Sequence, residues 1–295
     1  MKFKHIHFII NPASGKEEPI LSFINRVFAD SKTDWDVSLT KKNCSAGQIA
    51  KSLIGKTDLV AVYGGDGCVT AAAAALHGTQ LPIAIIPGGT ANVMAKDLGV
   101  PLDTLAALEL IKSGKHQVKA IDMGLVNGEP FLLRVNLGIM ADMVTTADRG
   151  LKNKLGQVAY GVTALQTAIA AEQVDYELKI DSQQISASGV ALTVTNSGNI
   201  GIGDLDLLPG ISVTDGWLDV ILMKDNDWLN MLKIAGSTLL QNDSETLVHW
   251  RCKKVSITAA KKQSYICDDA ARSAKKLKIE VVPGSVHLLV PQKKK

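Results

Sequence analysis

The sequence predicts an N-terminal α/β domain, a doubly wound parallel sheet, followed by a C-terminal antiparallel β-sandwich domain. Two patterns in the 295 residues support this prediction. Up to about residue 125, short apolar runs alternate with segments of helical periodicity, which is typical of parallel strands connected by helices. After that point, apolar runs follow one another with turn residues between them, which is typical of an antiparallel sheet. We therefore assign residues 1–125 and 126–295 to two domains, and leave open whether the last strand returns to the first domain.

The first domain is predicted to contain short strands that are rich in apolar residues. They are His5–Ile10, Trp35–Leu39, Asp58–Tyr63 and Ile83–Ile86. The segments that follow them have helical spacing, and they are Pro19–Phe28, Ala46–Leu53, an alanine-rich run after Gly67, and Ala91–Leu98. Because parallel strands need crossover connections, this order places helices on both faces of one sheet.

The second domain is predicted to consist mainly of strands. They are Phe131–Val135, Tyr176–Ile180, Gly189–Asn196, Leu218–Met223, Lys254–Thr258, Ser264–Cys267, Lys278–Val282 and His287–Val290. One helix, Leu155–Ala171, interrupts them. A second amphipathic segment, Asp227–Leu240, follows later in the chain. The apolar faces of both segments favour core packing, with a membrane-docking role as the alternative.

The composition narrows the class of function. The 32 basic and 29 acidic residues leave a net charge of +3, which is too small to indicate a nucleic-acid partner. No apolar run approaches the roughly 18–20 residues that span a bilayer, and the first residues lack a signal-peptide cleavage site. The cysteines show neither metal-ligand nor disulfide spacing; they are Cys44, Cys68, Cys252 and Cys267. We therefore expect a cytoplasmic protein with reduced thiols.

Glycine-containing loops follow three of the predicted strands: Asn11–Gly15, Gly64–Gly67 and Gly88–Asn92. In an open parallel sheet, ligands bind at the carboxyl edge, where these loops meet. Glycines let a ligand approach the backbone, and N–H groups at the start of the following helices attract phosphate. Asp66, between two glycines, would repel phosphate unless a cation intervened. The loops therefore predict a magnesium–nucleotide site, with a turn or N-cap role for Asp66 as the alternative.

The loops also resemble a known family. The chain has neither GxxxxGK[ST] nor GxGxxG, which disfavours a P-loop NTPase and a dinucleotide oxidoreductase. Instead, Asn-Pro-Ala-Ser-Gly, Gly-Gly-Asp-Gly and Pro-Gly-Gly-Thr-Ala-Asn resemble the three motifs of the diacylglycerol kinase catalytic domain. More narrowly, the chain resembles the bacterial soluble lipid kinases of that superfamily, which also includes sphingosine kinases and NAD kinases. In the second domain, Asn136–Ile139, Lys154–Gly156 with Tyr160, and Thr214–Val220 are similar to further landmarks of the family.

The resemblance implies an ATP- and Mg²⁺-dependent kinase that transfers the γ-phosphate to the hydroxyl of a diacylglycerol-like lipid in the cleft between the domains. The implied nucleotide site consists of Asn11, Ser14, Gly15, Thr40, Gly64, Gly65, Asp66, Gly67, Cys68, Thr70, Thr90 and Asn92. It also implies a structural Mg²⁺ held by Asp215 and by backbone carbonyls near Ser212 and Trp217, although Asp215-Gly216 alone would predict a plain turn. A lipid substrate implies transient contact with the inner membrane face. The resemblance leaves a homodimer open.

The chain departs from the family pattern where relatives carry acids, at Ala71, Val93 and Ala270. The last of these replaces the glutamate that resembles a general base in relatives. The candidate catalytic residues are therefore Asp66, Asp268 and Asp269, with Asp269 taking the role of base if the turn slips by one residue. Two alternatives stay open: a non-catalytic descendant that binds nucleotide or lipid, and an NAD kinase-like kinase of a small molecule.

Overall fold

The computed structural model describes residues 3–138, 173–200, 206–224 and 247–292. Several features predicted from the sequence lie outside these ranges. They are the helix Leu155–Ala171, the amphipathic segment Asp227–Leu240, Ile139, and the landmark Lys154–Gly156 with Tyr160. Within the described ranges, no helix has the length and apolar character needed to cross a membrane.

The N-terminal part is the predicted parallel sheet with helices on both faces. Its strands are β1 His5–Ile10, β2 Asp34–Leu39, β3 Leu59–Gly64 and β4 Ile83–Pro87. Its helices are α1 Ile20–Phe28, α2 Ala46–Ser52, α3 Asp66–Leu76, α4 Val93–Asp97 and α5 Thr104–Ser113. The strands pair in parallel in the order β2-β1-β3-β4. Each residue of β3 is buried, because α2 and α3 pack on one face of the sheet and α1 and α5 pack on the other.

The C-terminal part is an antiparallel arrangement of strands. They are β5 His116–Val126, β6 Glu129–Phe131, β7 Arg134–Gly138, β8 Val174–Ile180, β9 Gln183–Gly189, β10 Ala191–Thr195, β11 Leu218–Met223, β12 Leu247–Cys252, β13 Lys254–Cys267 and β14 Ala270–Pro291. The pairs β7-β10, β10-β11, β11-β12 and β13-β14 are all antiparallel. An α/β domain followed by an antiparallel β domain is the fold class predicted from the sequence, and it is confirmed.

Strand β14 joins the two parts. Its first half pairs with β13, and it pairs along much of its length with β5. Near its end, Leu288 lies opposite Ile83 of β4 in a parallel pair. Within the described ranges, the hydrogen-bonded order therefore runs β12-β11-β10-β7-β13-β14-β4-β3-β1-β2 without a break. The loops of one part consequently have a defined position relative to the loops of the other.

Two long strands replace four short ones. The predicted strands Lys254–Thr258 and Ser264–Cys267 are both parts of β13, whose register against β14 shifts between Thr258 and Gln263. The predicted strands Lys278–Val282 and His287–Val290 are both parts of β14, with a shift opposite β5 between Val282 and Val286. The residues between the predicted strands, among them Lys261-Lys262 and Pro283-Gly284, do not end the strands, because the sheet accommodates them as bulges.

Other elements were missed or placed differently. The predicted strand Phe131–Val135 is divided into β6 and β7, and Gly189–Asn196 is shortened to β10. Strands β5, β9 and β12 and helix α5 were not predicted. The sequence does contain the capping residues of helix α5, Asp103 before it and Gly114 after it. In the structure, the Asp103 side chain accepts the Ala106 N–H at 2.8 Å, and Gly114 ends the helix with φ 70°. The more polar strands β9 and β12 lack an apolar run of strand length.

The sandwich core depends on Phe131, a fully buried side chain that packs among residues of the second-domain cluster. We predict that Phe131→Ala lowers the free energy of unfolding by about 3–5 kcal/mol, because it removes apolar contacts and leaves a cavity. Leu102, which is 43% exposed in the first domain, is the control. Leu102→Ala should change the free energy by no more than about 0.5 kcal/mol. Urea denaturation measures both, and equal effects would contradict the assignment of Phe131 to the core.

Candidate active site

The three glycine loops meet at the carboxyl edge of β1, β3 and β4. Their backbones touch: a Cβ built on Gly89 would lie 2.5 Å from the Cα of Gly65, so the second and third loops approach as closely as glycines allow. On the other side, a Cβ on Gly15 would lie 3.9 Å from the Thr90 hydroxyl. The structure therefore brings the predicted loop residues together around one small region.

Asn11 organises the first loop. Its backbone N–H donates to the Tyr63 carbonyl at 3.0 Å, which continues the pairing of β1 with β3. Its side-chain oxygen accepts from the Ala13 N–H at 3.0 Å and from the Thr40 hydroxyl at 3.2 Å. The Ser14 hydroxyl donates to the Asn11 carbonyl at 2.7 Å. The predicted site residues Asn11, Ser14 and Thr40 thus form one hydrogen-bonded unit.

Asn92 closes the third loop. It has a left-handed backbone, φ 50°, a conformation that asparagine tolerates better than most residues. Its side-chain oxygen accepts from the Gly89 N–H at 3.0 Å, and its side-chain nitrogen donates to the Gly89 carbonyl at 2.8 Å. This reciprocal pair holds the loop in a tight ring immediately before α4.

Asp66 connects the second loop to the third. It is the first residue of α3, yet its carboxylate accepts backbone hydrogen bonds from Val93 and Met94 at the start of α4, the latter at 3.2 Å. Burial raises the pKa of Asp66, and these hydrogen bonds act against that shift. A carboxylate has about four acceptor sites, so Asp66 retains capacity for another partner.

Asp268 is committed to structure. In the described part of the chain it accepts four hydrogen bonds: from the backbone N–H groups of Leu132, Leu133 and Arg134, each at 2.9 Å, and from the Thr70 hydroxyl at 3.0 Å. These donors fill the acceptor sites of a carboxylate. They also explain why the predicted strand Phe131–Val135 divides, since three of its N–H groups donate to Asp268. Burial raises the pKa of Asp268, and these hydrogen bonds act in the opposite direction.

Asp269 has a different environment from its neighbour. It is exposed, and within the described residues no hydrogen bond or ion pair engages its carboxylate. The carboxylate packs on the second loop, where a Cβ built on Gly67 would lie 2.5 Å from Asp269 Oδ2. Burial raises the pKa of the nearby Cys68 thiol and the charge of Asp269 adds to that shift, while a hydrogen bond with Asn11 opposes it.

Arg134, at the start of β7, was missed by the sequence analysis. Its guanidinium donates to the carbonyl of Asn199 and faces three carboxylates, those of Asp97, Asp268 and Asp66. Burial lowers the pKa of Arg134, and the three negative charges act against that shift. Nothing in the sequence indicated this position, because an arginine inside a predicted strand is usually a solvent-facing residue.

Comparison with known proteins gives a family for both parts of the chain. Residues 5–126 match the diacylglycerol kinase catalytic domain, and residues 134–290 match the YegS C-terminal NAD kinase beta sandwich-like domain. The chain belongs to the diacylglycerol kinase family.

The similarity extends over nearly the whole of this chain. A diacylglycerol kinase of Bacillus subtilis is 23% identical, with 99% of this chain and 98% of the relative covered. An uncharacterized protein of Synechocystis is 29% identical, with 98% of this chain and 71% of the relative covered. The crystal structure of a diacylglycerol kinase from Bacillus anthracis shares the fold, with a TM-score of 0.79 at 23% identity over 99% of this chain and 98% of that chain.

Ala71 and Val93, at two of the positions where the family resemblance implies acids, lie in or against the apolar cluster of the first domain. Ala71 faces α2, where a Cβ on Gly47 would lie 2.6 Å from the Ala71 carbonyl oxygen. Val93 is 5% exposed and belongs to the apolar cluster of the first domain. A carboxylate at either position would have to be desolvated among apolar side chains. Ala270 directly follows Asp269 and begins β14.

The second-domain cation that the family resemblance implies does not fit the residues present. Asp215 Oδ2 lies 2.6 Å from Arg251 Nη2, and Asp215 Oδ1 accepts the Trp217 N–H at 3.0 Å. The described residues contain no cluster of three or more aspartate, glutamate, histidine or cysteine side chains that could hold a metal ion. Each carboxylate oxygen of Asp215 thus has a protein partner, and one of these partners is a guanidinium whose positive charge disfavours a cation beside it.

The two neighbouring acids at the β13–β14 turn should differ sharply in their effect on stability. We predict that Asp268→Ala lowers the free energy of unfolding by about 3 kcal/mol, because buried backbone N–H groups lose their acceptor. Asp269→Ala, the matched control, should change it by no more than about 0.5 kcal/mol. Urea denaturation measures both variants. Similar losses for the two would show that Asp268 does not have the structural role described.

Proposed function

We propose that the protein is an ATP-dependent lipid kinase that transfers the γ-phosphate to the hydroxyl of a diacylglycerol-like lipid. The observation that carries the proposal is the contact of three glycine loops at one sheet edge, where Asp66 ties two of them together. Membership of the diacylglycerol kinase family supports the same reaction class. The lipid acceptor implies transient contact with a membrane surface.

The loops are suited to hold a nucleotide phosphate. Gly65 and Gly89 let the backbones of the second and third loops contact each other, and α3 begins beside them at Asp66. The first N–H groups of a helix lack intrahelical partners and carry partial positive charge, which favours an anion. ATP bound there with magnesium supplies the phosphoryl group and the charge neutralisation that its transfer needs.

Arg134 supplies a fixed positive charge at the boundary of the two parts. It faces Asp66 from β7, while its backbone N–H is held by Asp268. A guanidinium held in place can stabilise negative charge that develops during phosphoryl transfer without reorganising. We assign Arg134 this role in the proposed reaction.

Asp269 is the acid best placed to accept the proton of the lipid hydroxyl. Asp268 is saturated by four donors within the described residues, and Asp66 is partly used to hold α4. Asp269 is exposed beside Gly67 in the same loop region, with its oxygens unengaged in the described chain. The proposal therefore gives Asp66 the task of positioning the loops and Asp269 that of the general base.

A second candidate function is nucleotide binding without catalysis. The observation that favours it is the presence of Ala71, Val93 and Ala270 where the family pattern has acids. Loss of a general base typically slows a reaction by roughly 10²–10⁴-fold. The glycine loops would still bind nucleotide in that case.

The proposal is tested by transfer of radiolabelled γ-phosphate from Mg·ATP into mixed micelles of diacylglycerol, phosphatidylglycerol or sphingosine. We expect a phosphorylated lipid, and a fall in kcat of roughly 10²-fold or more for Asp269→Asn, because the amide cannot accept the proton. The KM for ATP should change little. Asp30→Asn removes another exposed carboxylate, outside the loops, and is the matched control.

Calorimetry of ATP binding to the same samples separates the alternatives. ATP binding without phosphate transfer to any lipid would favour nucleotide binding without catalysis. NAD, added as the phosphate acceptor, tests for an NAD kinase-like activity. A protein that neither binds ATP nor transfers phosphate would overturn the proposed function. Full activity of Asp269→Asn would leave the kinase intact and remove Asp269 as its base.

A further inference from the structure

The region around Asp215 contains a cluster of charges that the proposed reaction does not use. Arg251, from β12, lies directly opposite Asp219 of β11 in the antiparallel pair. Its Nη2 is 2.6 Å from Asp215 Oδ2, and its Nε is 3.8 Å from Asp219 Oδ1. One guanidinium therefore spans the carboxylate of the turn before β11 and the buried carboxylate within that strand.

Trp217 holds this guanidinium in place from the other side. The Arg251 guanidinium carbon lies 5.5 Å from the centre of the Trp217 ring, and Lys253 Nζ lies 5.2 Å from the same centre. Both distances are within the range of cation–π attraction. A divalent cation beside Asp215 would be repelled by these two positive groups, one of which is already in contact with the carboxylate.

The turn that carries Asp215 is also fixed by backbone hydrogen bonds. Asp122, a buried residue of β5, accepts the Gly216 N–H at 2.7 Å through one oxygen and the Gly284 N–H at 2.8 Å through the other. The Asp122 backbone N–H donates to the Val213 carbonyl at 2.8 Å. The protein itself thus supplies the restraints that a structural cation would give to this turn.

We propose that the Arg251 guanidinium replaces the structural divalent cation of the second domain, so that this turn is stabilised without metal. The guanidinium donates a hydrogen bond to Asp215 and acts on Asp219 through its charge alone, because Asp219 Oδ1 has His249 Nε2 as its hydrogen-bond partner at 2.7 Å. The inference concerns the architecture of the second domain and stands apart from the lipid kinase activity.

The wild-type protein, free of nucleotide, provides the first test. Its melting temperature should be the same with EDTA and with millimolar magnesium, and Mn²⁺ titrated into the protein and followed by electron paramagnetic resonance should find no Asp215-dependent site. A melting temperature that falls in EDTA and returns with magnesium, with both effects abolished by Asp215→Asn, would overturn the proposal. This measurement decides the matter even if the arginine variants fail to fold.

Arg251→Met provides the second test, because it removes the charge and keeps much of the side-chain bulk. We expect its melting temperature to fall by a few degrees and to rise again with magnesium, together with one bound Mn²⁺ that is lost in the double variant with Asp215→Asn. Arg272→Met is the matched control, since Arg272 Nη2 pairs with Glu129 at 2.6 Å elsewhere on the sheet. Arg272→Met should acquire no response to magnesium. An Arg251→Met protein that binds no Mn²⁺ would also contradict the proposal.

Discussion

Continuous pairing of one strand, β14, is the constraint on which the rest of the molecule depends. Its 22 residues pair with β13 and β5 of the second domain and reach β4 of the first. Because an extended strand has little freedom to bend except at bulges, the turn that precedes β14 has a defined position. That turn contains Asp268 and Asp269, and the continuous sheet places it beside the start of α3.

Three carboxylates connect elements that this sheet brings together. Asp268 connects α3 to the β6–β7 connection, Asp66 connects two glycine loops, and Asp122 holds two turns of the second domain. Each accepts backbone N–H groups that would otherwise be unsatisfied away from water. Acids in this molecule therefore serve structure as much as chemistry, and an acid near the cleft cannot be assigned to catalysis without its hydrogen-bond partners.

Two arginines have contrasting relationships to carboxylates. Arg134 interacts with the charges of three carboxylates, two of them across the domain boundary, and its side chain donates to the Asn199 carbonyl. Arg251 is in direct contact with Asp215 and is covered by Trp217. Direct contact neutralises a carboxylate and disfavours a further cation beside it, whereas a guanidinium kept at a distance keeps its charge available to an anion. The first arrangement suits a nucleotide-binding cleft, and the second suits a metal-free structural turn.

The fold class and the meeting point of the glycine loops could be predicted from the sequence, because both follow from local periodicity and from the geometry of parallel strands. The sequence could not distinguish Asp268 from Asp269, which are neighbours in the chain. Their environments depend on Thr70 and Gly67, about 200 residues away in sequence. Arg251 was likewise hidden, since only the pairing of β11 with β12 brings it to Asp215. Hydrogen-bond partners at such separations are decided by the tertiary fold, which local patterns do not report.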